Sequence, residues 1–109
     1  MSKLDDFTAA VLTGAKDLAK NTLEGFEDQA GADAKAFLDK MKTDLQKWAK
    51  LRAESKITDQ DFADFVEGKK ALAEIHALTQ AGIAAIKLER FRTELIKLVV
   101  DKALTILSI

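Results

Sequence analysis

Apolar residues recur at three- and four-residue intervals along most of the chain, which is the spacing of one face of an α-helix. The first such run joins Leu4, Phe7 and Val11, and Ser2 stands where it can cap the start of a helix. The sequence contains no Pro and is rich in residues that favour helices. The pattern therefore predicts an all-α protein, either an antiparallel helical hairpin or a small helical bundle.

A first interruption of this rhythm is expected near residues 25–33. Gly31 can act as the left-handed C-terminal cap of one helix, and Asp33 can cap the start of the next. The apolar spacing also continues through this stretch, so a break near 25–33 competes with an unbroken helix.

The clearest helix start lies at the middle of the sequence. Thr58 is a favourable N-cap, and Asp61 stands three residues later, in the capping-box position. Ile57 and Phe62 occupy the positions of a hydrophobic staple. These coincident signals predict a hairpin turn near residues 55–58.

Beyond Thr58, only Gly68 and Gly82 interrupt the pattern, and neither has a cluster of turn residues beside it. We therefore expect a long C-terminal helix over about residues 59–108, which would measure about 75 Å at a rise of 1.5 Å per residue. The alternative is a bend at Gly82 that closes the chain as a four-helix bundle.

The last quarter of the chain, residues 83–109, is apolar around more than half of the circumference of a helix. Such a helix must be covered from more than one side. We expect its apolar residues to mediate self-association. They are Leu88, Phe91, Leu95, Ile96, Leu98, Val99, Val100, Ala103, Leu104, Ile106 and Leu107.

A stretch of small residues precedes this segment. Small side chains allow two helix backbones to come near each other. We therefore expect a close helix approach at Ala81, Gly82, Ala84 and Ala85. If the hairpin folds about residues 56–57, Gly31 lies opposite Gly82.

The sequence between Leu51 and Leu72 contains Lys56-Ile57-Thr58-Asp59, then Asp61-Phe62 and Lys69-Lys70. This pattern resembles the SHOCT type of short two-helix motif, which is found near the ends of many bacterial proteins. The resemblance implies a helix–turn–helix hairpin that can serve as an oligomerisation element, and it implies no chemistry.

Composition narrows the classes of function. A length of 109 residues predicts a single domain over residues 1–109. The net charge of −1 gives no bulk attraction to nucleic acid or anionic lipid. The longest uncharged run, residues 75–86, has 12 residues and is shorter than the roughly 20 that a membrane-spanning helix needs. Asp5 and Asp6 stand where a signal peptide would be positively charged, so we expect a cytoplasmic protein.

Reactive side chains are few. His76 is the only histidine, and Ala73 stands where a metal site of the helical-bundle type would place a Glu. The spacing of Asp59 and Asp61 fails to continue as a calcium loop, because Ala63 takes the next ligand position. We therefore expect no catalytic residues, no metal, no cofactor and no enzyme activity.

Basic residues recur along the polar side of the second predicted helix, and Trp48 lies among them in the sequence. Acidic residues interleave with these lysines, so the series is typical of a solvated helix face rather than of a nucleic-acid surface. Trp48 falls on the apolar face of the same helix, and we expect it to contribute to the core.

Three functions are consistent with these features. The first is a non-catalytic structural or assembly protein, a homo-oligomer that self-associates through its C-terminal helix. The second is a protein of a lipid or granule surface, which the mixed charge of the C-terminal polar stripe disfavours. The third is a small adaptor whose C-terminal helix enters a groove of a different helical protein.

Overall fold

The computed structural model describes residues 2–108, and all the regular secondary structure within them is helical. Met1 and Ile109, the two ends of the predicted domain, lie outside this range. The elements in chain order are α1 (Lys3–Thr22), α2 (Glu27–Ala53), α3 (Asp59–Glu67), a 3₁₀ turn (Lys70–Leu72), α4 (His76–Gln80), α5 (Ala85–Lys102) and a π-helical turn (Ala103–Leu107). The prediction of a small all-α bundle is confirmed.

The bundle is built around α1, which packs against both α2 and α5. The helix α3 packs on α2 and α5, and the short α4 packs on α2. Four of the helices each place a phenylalanine in one shared core, and each ring is at most 1% exposed: Phe7, Phe37, Phe62 and Phe91. Burying a side chain of this size contributes about 1.5–3 kcal/mol, so these four rings hold the helices together.

The hairpin turn near residues 55–58 is confirmed. The Thr58 hydroxyl accepts a hydrogen bond from the Asp61 amide at 3.0 Å, and the Asp61 carboxylate accepts one from the Thr58 amide at 3.0 Å. This reciprocal capping box satisfies two backbone donors that the first turn of α3 would otherwise leave unpaired. Ser55 completes the turn in a left-handed conformation, with φ of 60°.

The break predicted near residues 25–33 lies at the start of that range, between α1 and α2. Glu24, Gly25 and Phe26 all have positive φ, at 58°, 143° and 65°. The proposed role of Gly31 as a helix cap is wrong, because Gly31 lies inside α2. A Cβ at Gly31 would lie 2.9 Å from Lys16 Cε, so this glycine lets the Lys16 stem cross α2 at close range.

The predicted continuous helix over residues 59–108 is wrong. The chain leaves the α-helical conformation after Glu67 and again after Gln80. The longest dimension of the bundle is 43 Å, whereas a straight helix over this range would measure about 75 Å. Gly82 has φ of 81°, so the alternative of a bend at this glycine is the correct one.

A side chain from α2 caps the N-terminus of α4. The Asp33 side chain, only 6% exposed, reaches from α2 and accepts hydrogen bonds from the amides of Ala77 and Leu78, each at 2.9 Å. A carboxylate is favourable at this position because helix amides and the helix dipole attract negative charge. Asp33 was expected to cap the helix next to it in sequence, and it caps α4 instead.

The backbone is strained at Ile75, which precedes α4 and has φ of 46°. A left-handed conformation costs a residue of this type about 1–3 kcal/mol. Ile75 is 3% exposed and Leu78 is fully buried, and burying such side chains contributes about 1.5–3 kcal/mol each. The apolar contacts of α4, together with the Asp33 cap, therefore offset the strain.

We expect Asp33→Ala to lower the free energy of unfolding by about 2 kcal/mol, because loss of a cap costs about 0.5–2 kcal/mol and two amides, one buried and one part-buried, lose their acceptor. Urea denaturation followed by circular dichroism measures the change. Asp39→Ala is the matched control, since Asp39 is an exposed residue on the same helix, and it should change stability by less than about 0.5 kcal/mol. Equal effects of the two substitutions would contradict the role of Asp33.

Candidate functional site

The C-terminal helix is the candidate site, and its own chain covers much of it. Both α5 and the π-helical turn pack against α1, while α3 also packs against α5 and α2 against the turn. Five residues of the predicted self-association set are buried inside the chain: Phe91, Leu95, Ile96, Val99 and Ala103. The expectation that this helix needs cover on more than one side is met, and the same molecule supplies a large part of that cover.

The other six residues of the set are only half-buried. They pack on the edge of the core and keep part of their apolar surface open: Leu88, Leu98, Val100, Leu104, Ile106 and Leu107. The free apolar surface of α5 is therefore a partial stripe rather than a whole helix. Ile86, on the first turn of α5, adds a side chain that is 76% exposed.

An open apolar groove runs between α3 and the C-terminal half of α5, with a volume of about 290 Å³. Its apolar lining consists of Ala63, Ile96, Val100 and Leu104. Polar and charged side chains complete the lining: Glu67, Lys70, Thr93, Lys97 and Asp101. Three residues predicted to mediate self-association thus meet in one concave surface, hereafter the α3–α5 groove.

Ion pairs fix one end of the groove. Lys70 Nζ lies 2.7 Å from Glu89 Oε1 and donates to Thr93 Oγ1 at 3.0 Å. The hydrogen bond from Lys70, and secondly that from Arg92, hold the pKa of Glu89 below its ordinary value. Arg92 Nε also donates to the Ala73 carbonyl at 2.8 Å, which fastens the segment before α4 to α5.

A second charged cluster surrounds Glu74. Its carboxylate lies 3.0 Å from Lys40 Nζ and contacts the ring of His76. The hydrogen bond from Lys40, followed by that from His76, lowers the pKa of Glu74 below its ordinary value. His76 is the first residue of α4 and its side chain is exposed, as expected for a hydrogen-bonded helix histidine. Within residues 2–108, no group of three or more His, Asp or Glu side chains is placed to hold a metal ion.

The small-residue stretch forms an exposed turn. Ala81, Gly82, Ala84 and Ala85 are all exposed, and no atom lies within 4 Å of the position of a Cβ at Gly82. The expected close helix approach is absent here within the described chain, and it stays a prediction only for contacts between chains. Gly31 faces Lys16 rather than Gly82.

One close helix approach lies between α1 and α5. A Cβ at Gly14 would lie 2.7 Å from Leu98 Cδ1, so the Leu98 side chain fills the space that Gly14 leaves. The spacing of the first helix places Gly14 on its apolar face, but nothing in the sequence pairs it with Leu98. The pairing was therefore missed.

The basic series on α2 is interleaved with acidic residues, as its sequence shows. Lys35 pairs with Asp39 along the helix, and both side chains are more than 60% exposed. Trp48 is half-buried and its ring centre lies 5.5 Å from that of Phe65 on α3, which joins the two helices near the hairpin. Trp48 therefore packs between helices, as expected.

Comparison of the chain with protein-family models, curated proteins and solved structures finds no match. The helices α2 and α3 form a helix–turn–helix hairpin, and no family model supports the two-helix resemblance. None of the described helices is long and apolar enough to cross a membrane.

We expect Gly14→Ala to destabilise the wild-type protein by about 1 kcal/mol, because crowding a packed contact costs about 1–3 kcal/mol and the gain in helix propensity is about 1 kcal/mol. In a Leu98→Ala background the crowding disappears, and Gly14→Ala should then stabilise by about 1 kcal/mol. Urea denaturation of the four proteins in this double-mutant cycle measures the coupling. An effect of Gly14→Ala that is the same in both backgrounds would rule out the contact.

Lys70→Ala should raise the pKa of Glu89 towards its ordinary value, because the largest cause of the lowered pKa is removed. A lowered folded-state pKa means that the ion pair stabilises the fold above the ordinary carboxyl pKa and that this stabilisation is lost as pH falls through the folded value. NMR titration of the glutamate side-chain carboxyl carbons measures the change. Lys97→Ala is the control, because Lys97 pairs with Glu94 and not with Glu89.

Proposed function

We propose that this protein is a non-catalytic assembly protein that pairs with a second copy of itself through the α3–α5 groove. The observation that carries the proposal is the open apolar lining of that groove. Ile96 is almost fully buried, but Val100 and Leu104 beside it keep exposed surface that no other part of the described chain covers. Covering apolar surface is the main driving force of most protein association.

The charges along the groove favour a second copy over an unrelated partner. Lys97 and Asp101 are four residues apart on α5, both are exposed, and both line the groove. If two α5 helices pack antiparallel about a twofold axis midway between these residues, each Lys97 faces Asp101 of the other copy. A twofold interface must be self-complementary. This arrangement meets the requirement, because the Lys97–Asp101 pair forms twice, once on each side of the axis.

The apolar residues rather than the charges would supply most of the affinity. An exposed ion pair contributes about 0.2–1 kcal/mol, so two such pairs set orientation more than strength. Nine residues line the groove, whereas a stable dimer interface of standard size uses about 20–30 residues on each side. The proposal is therefore a weak, concentration-dependent dimer.

The adaptor function uses the same groove and differs only in its occupant, a helix of another protein. The lipid-surface function has less support, because the exposed part of α5 mixes Lys97 and Asp101 in one stripe, whereas surface-seeking helices place basic residues along their polar face. A cytoplasmic setting stays a prediction from the sequence.

Charge reversal tests the proposal. Lys97→Glu alone sets two like-charged pairs across the twofold axis, and Asp101→Lys alone does the same, so each variant should raise the dimer Kd roughly tenfold. An equimolar mixture of the two variants should form a heterodimer as tightly as wild type, because both pairs are again of opposite sign. Sedimentation velocity over a concentration series measures the dimer Kd of each variant, of their mixture and of wild type.

Two controls carry the same charge changes outside the groove. Lys87→Glu and Asp17→Lys replace exposed residues and should leave the Kd of the dimer unchanged. A wild-type chain that is monomeric at every concentration would refute self-association. If that monomer gains helicity and floats with vesicles, the lipid-surface function takes its place, and if it binds a foreign helix, the adaptor function does.

A further inference from the structure

The connector between α3 and α5, residues 68–84, is bent, and part of its backbone is strained. Ile75 has φ of 46° and Gly82 has φ of 81°. A β-branched residue at positive φ is sterically disfavoured. Glycine adopts positive φ without this steric cost because it has no Cβ. The connector is therefore bent at a local energetic cost.

The sequence of this connector favours the unbent form. It contains no Pro and five Ala, and Ala is the residue with the highest helix propensity. The exposed residues that precede α5, Ala81 and Ala84, would extend α5 towards its N-terminus if Gly82 turned helical. The same residues made the sequence predict an uninterrupted helix over 59–108.

A few polar contacts hold the bend closed. Asp33 accepts from the two amides at the start of α4, and Arg92 donates to the Ala73 carbonyl at 2.8 Å. Lys40 pairs with Glu74 at 3.0 Å, but both side chains are substantially exposed. An exposed pair of this kind adds little stability, so the Asp33 contact is the principal polar restraint.

A straightened connector would carry α5 beyond its own bundle. A helix from residue 59 to residue 107 would be about 73 Å long at 1.5 Å per residue, and the bundle measures only 43 Å in its longest dimension. The surfaces that α5 leaves behind, on α1, α2 and α3, would then be uncovered. The α5 helix of a second copy is complementary to these uncovered surfaces, because its Leu98 side chain fills the space that Gly14 leaves.

We infer that residues 68–84 form a hinge, and that two copies of this chain exchange α5 by straightening it. Each α5 then packs on α1 of the other copy through the same side chains that it uses in the closed chain. Exchange preserves these α5 contacts and releases the strain at Ile75, while it gives up the Asp33 cap and the buried contacts of Ile75 and Leu78. Domain exchange is a low-cost route to a dimer because most native contacts re-form between copies. The inference rests on the proposed self-association and describes a second arrangement of two copies, distinct from pairing through the α3–α5 groove.

A disulfide reporter distinguishes the two arrangements. The chain has no Cys, so Gly14→Cys with Leu98→Cys introduces one pair at the α1–α5 contact and removes the leucine that would crowd it. In a closed chain the pair bonds within one molecule. In an exchanged dimer each bond joins two molecules. The reduced protein is incubated at high concentration, diluted to suppress random collisions, oxidised with oxidised glutathione and run on a non-reducing gel.

Hinge variants in this reporter background test the mechanism. Asp33→Ala removes the restraint on α4, and Gly82→Ala disfavours the bend because its φ of 81° is unsuitable for a side chain. Each should raise the fraction of disulfide-linked dimer roughly fivefold. Gly25→Ala is the matched control, since Gly25 also has positive φ and open space around it but lies between α1 and α2. Asp39→Ala is the control for Asp33→Ala.

The results separate this inference from the proposed function. A linked dimer whose fraction rises with concentration and with both hinge variants, and not with the controls, supports exchange. Dimers in sedimentation that contain only intramolecular disulfides overturn exchange and leave pairing through the α3–α5 groove standing. Monomers with only intramolecular disulfides at every concentration overturn both. An equal rise in all four variants also overturns the hinge, since it reports general loosening of the fold.

Discussion

The buried carboxylate of Asp33 is the main polar contact that holds the bend between α3 and α5. It lies within α2, 44 residues before the first amide that it binds, and it joins α2 to the start of α4. A buried charge without partners is unfavourable, whereas here both carboxylate oxygens accept backbone hydrogen bonds at a helix N-terminus. No described buried side-chain polar atom lacks a partner. Together with the buried side chains of Ile75 and Leu78, this contact holds the bend in a segment whose local sequence favours one long helix.

The fold also resolves the excess of apolar surface near the C-terminus. Because α4 turns the chain back, α5 lies along α1 with Phe91, Leu95 and Val99 fully buried. What remains exposed is a stripe rather than a whole helix, and it forms the α3–α5 groove with Ala63. A chain that needed other copies to cover an entire helix would be an obligate oligomer. This chain buries five of the eleven predicted self-association residues and covers the other six in part, which fits weak association better.

The ion pairs have a different role from the core. The contacts of Glu74 and Glu89 lie at the surface, where solvent screens charges and each pair adds little stability. They matter by position, because Lys40, Lys70 and Arg92 fasten both ends of the segment before α4 to its neighbours. Buried apolar groups therefore supply the stability of the bundle, and the polar contacts select the bent conformation of the connector.

The sequence by itself determined the elements whose signals are local. The all-α class follows from apolar spacing and the lack of Pro, and the turn at Thr58 follows from a capping box formed within four residues. The apolar character of α5 could likewise be predicted, and with it part of the α3–α5 groove. Only the tertiary structure decided where the second half bends, which glycine admits a neighbouring helix, and how much of α5 stays open. Each of these depends on residues far apart in the chain, namely Asp33 with Ala77, Gly14 with Leu98, and Ala63 with Val100, and periodicity carries no information about such pairs.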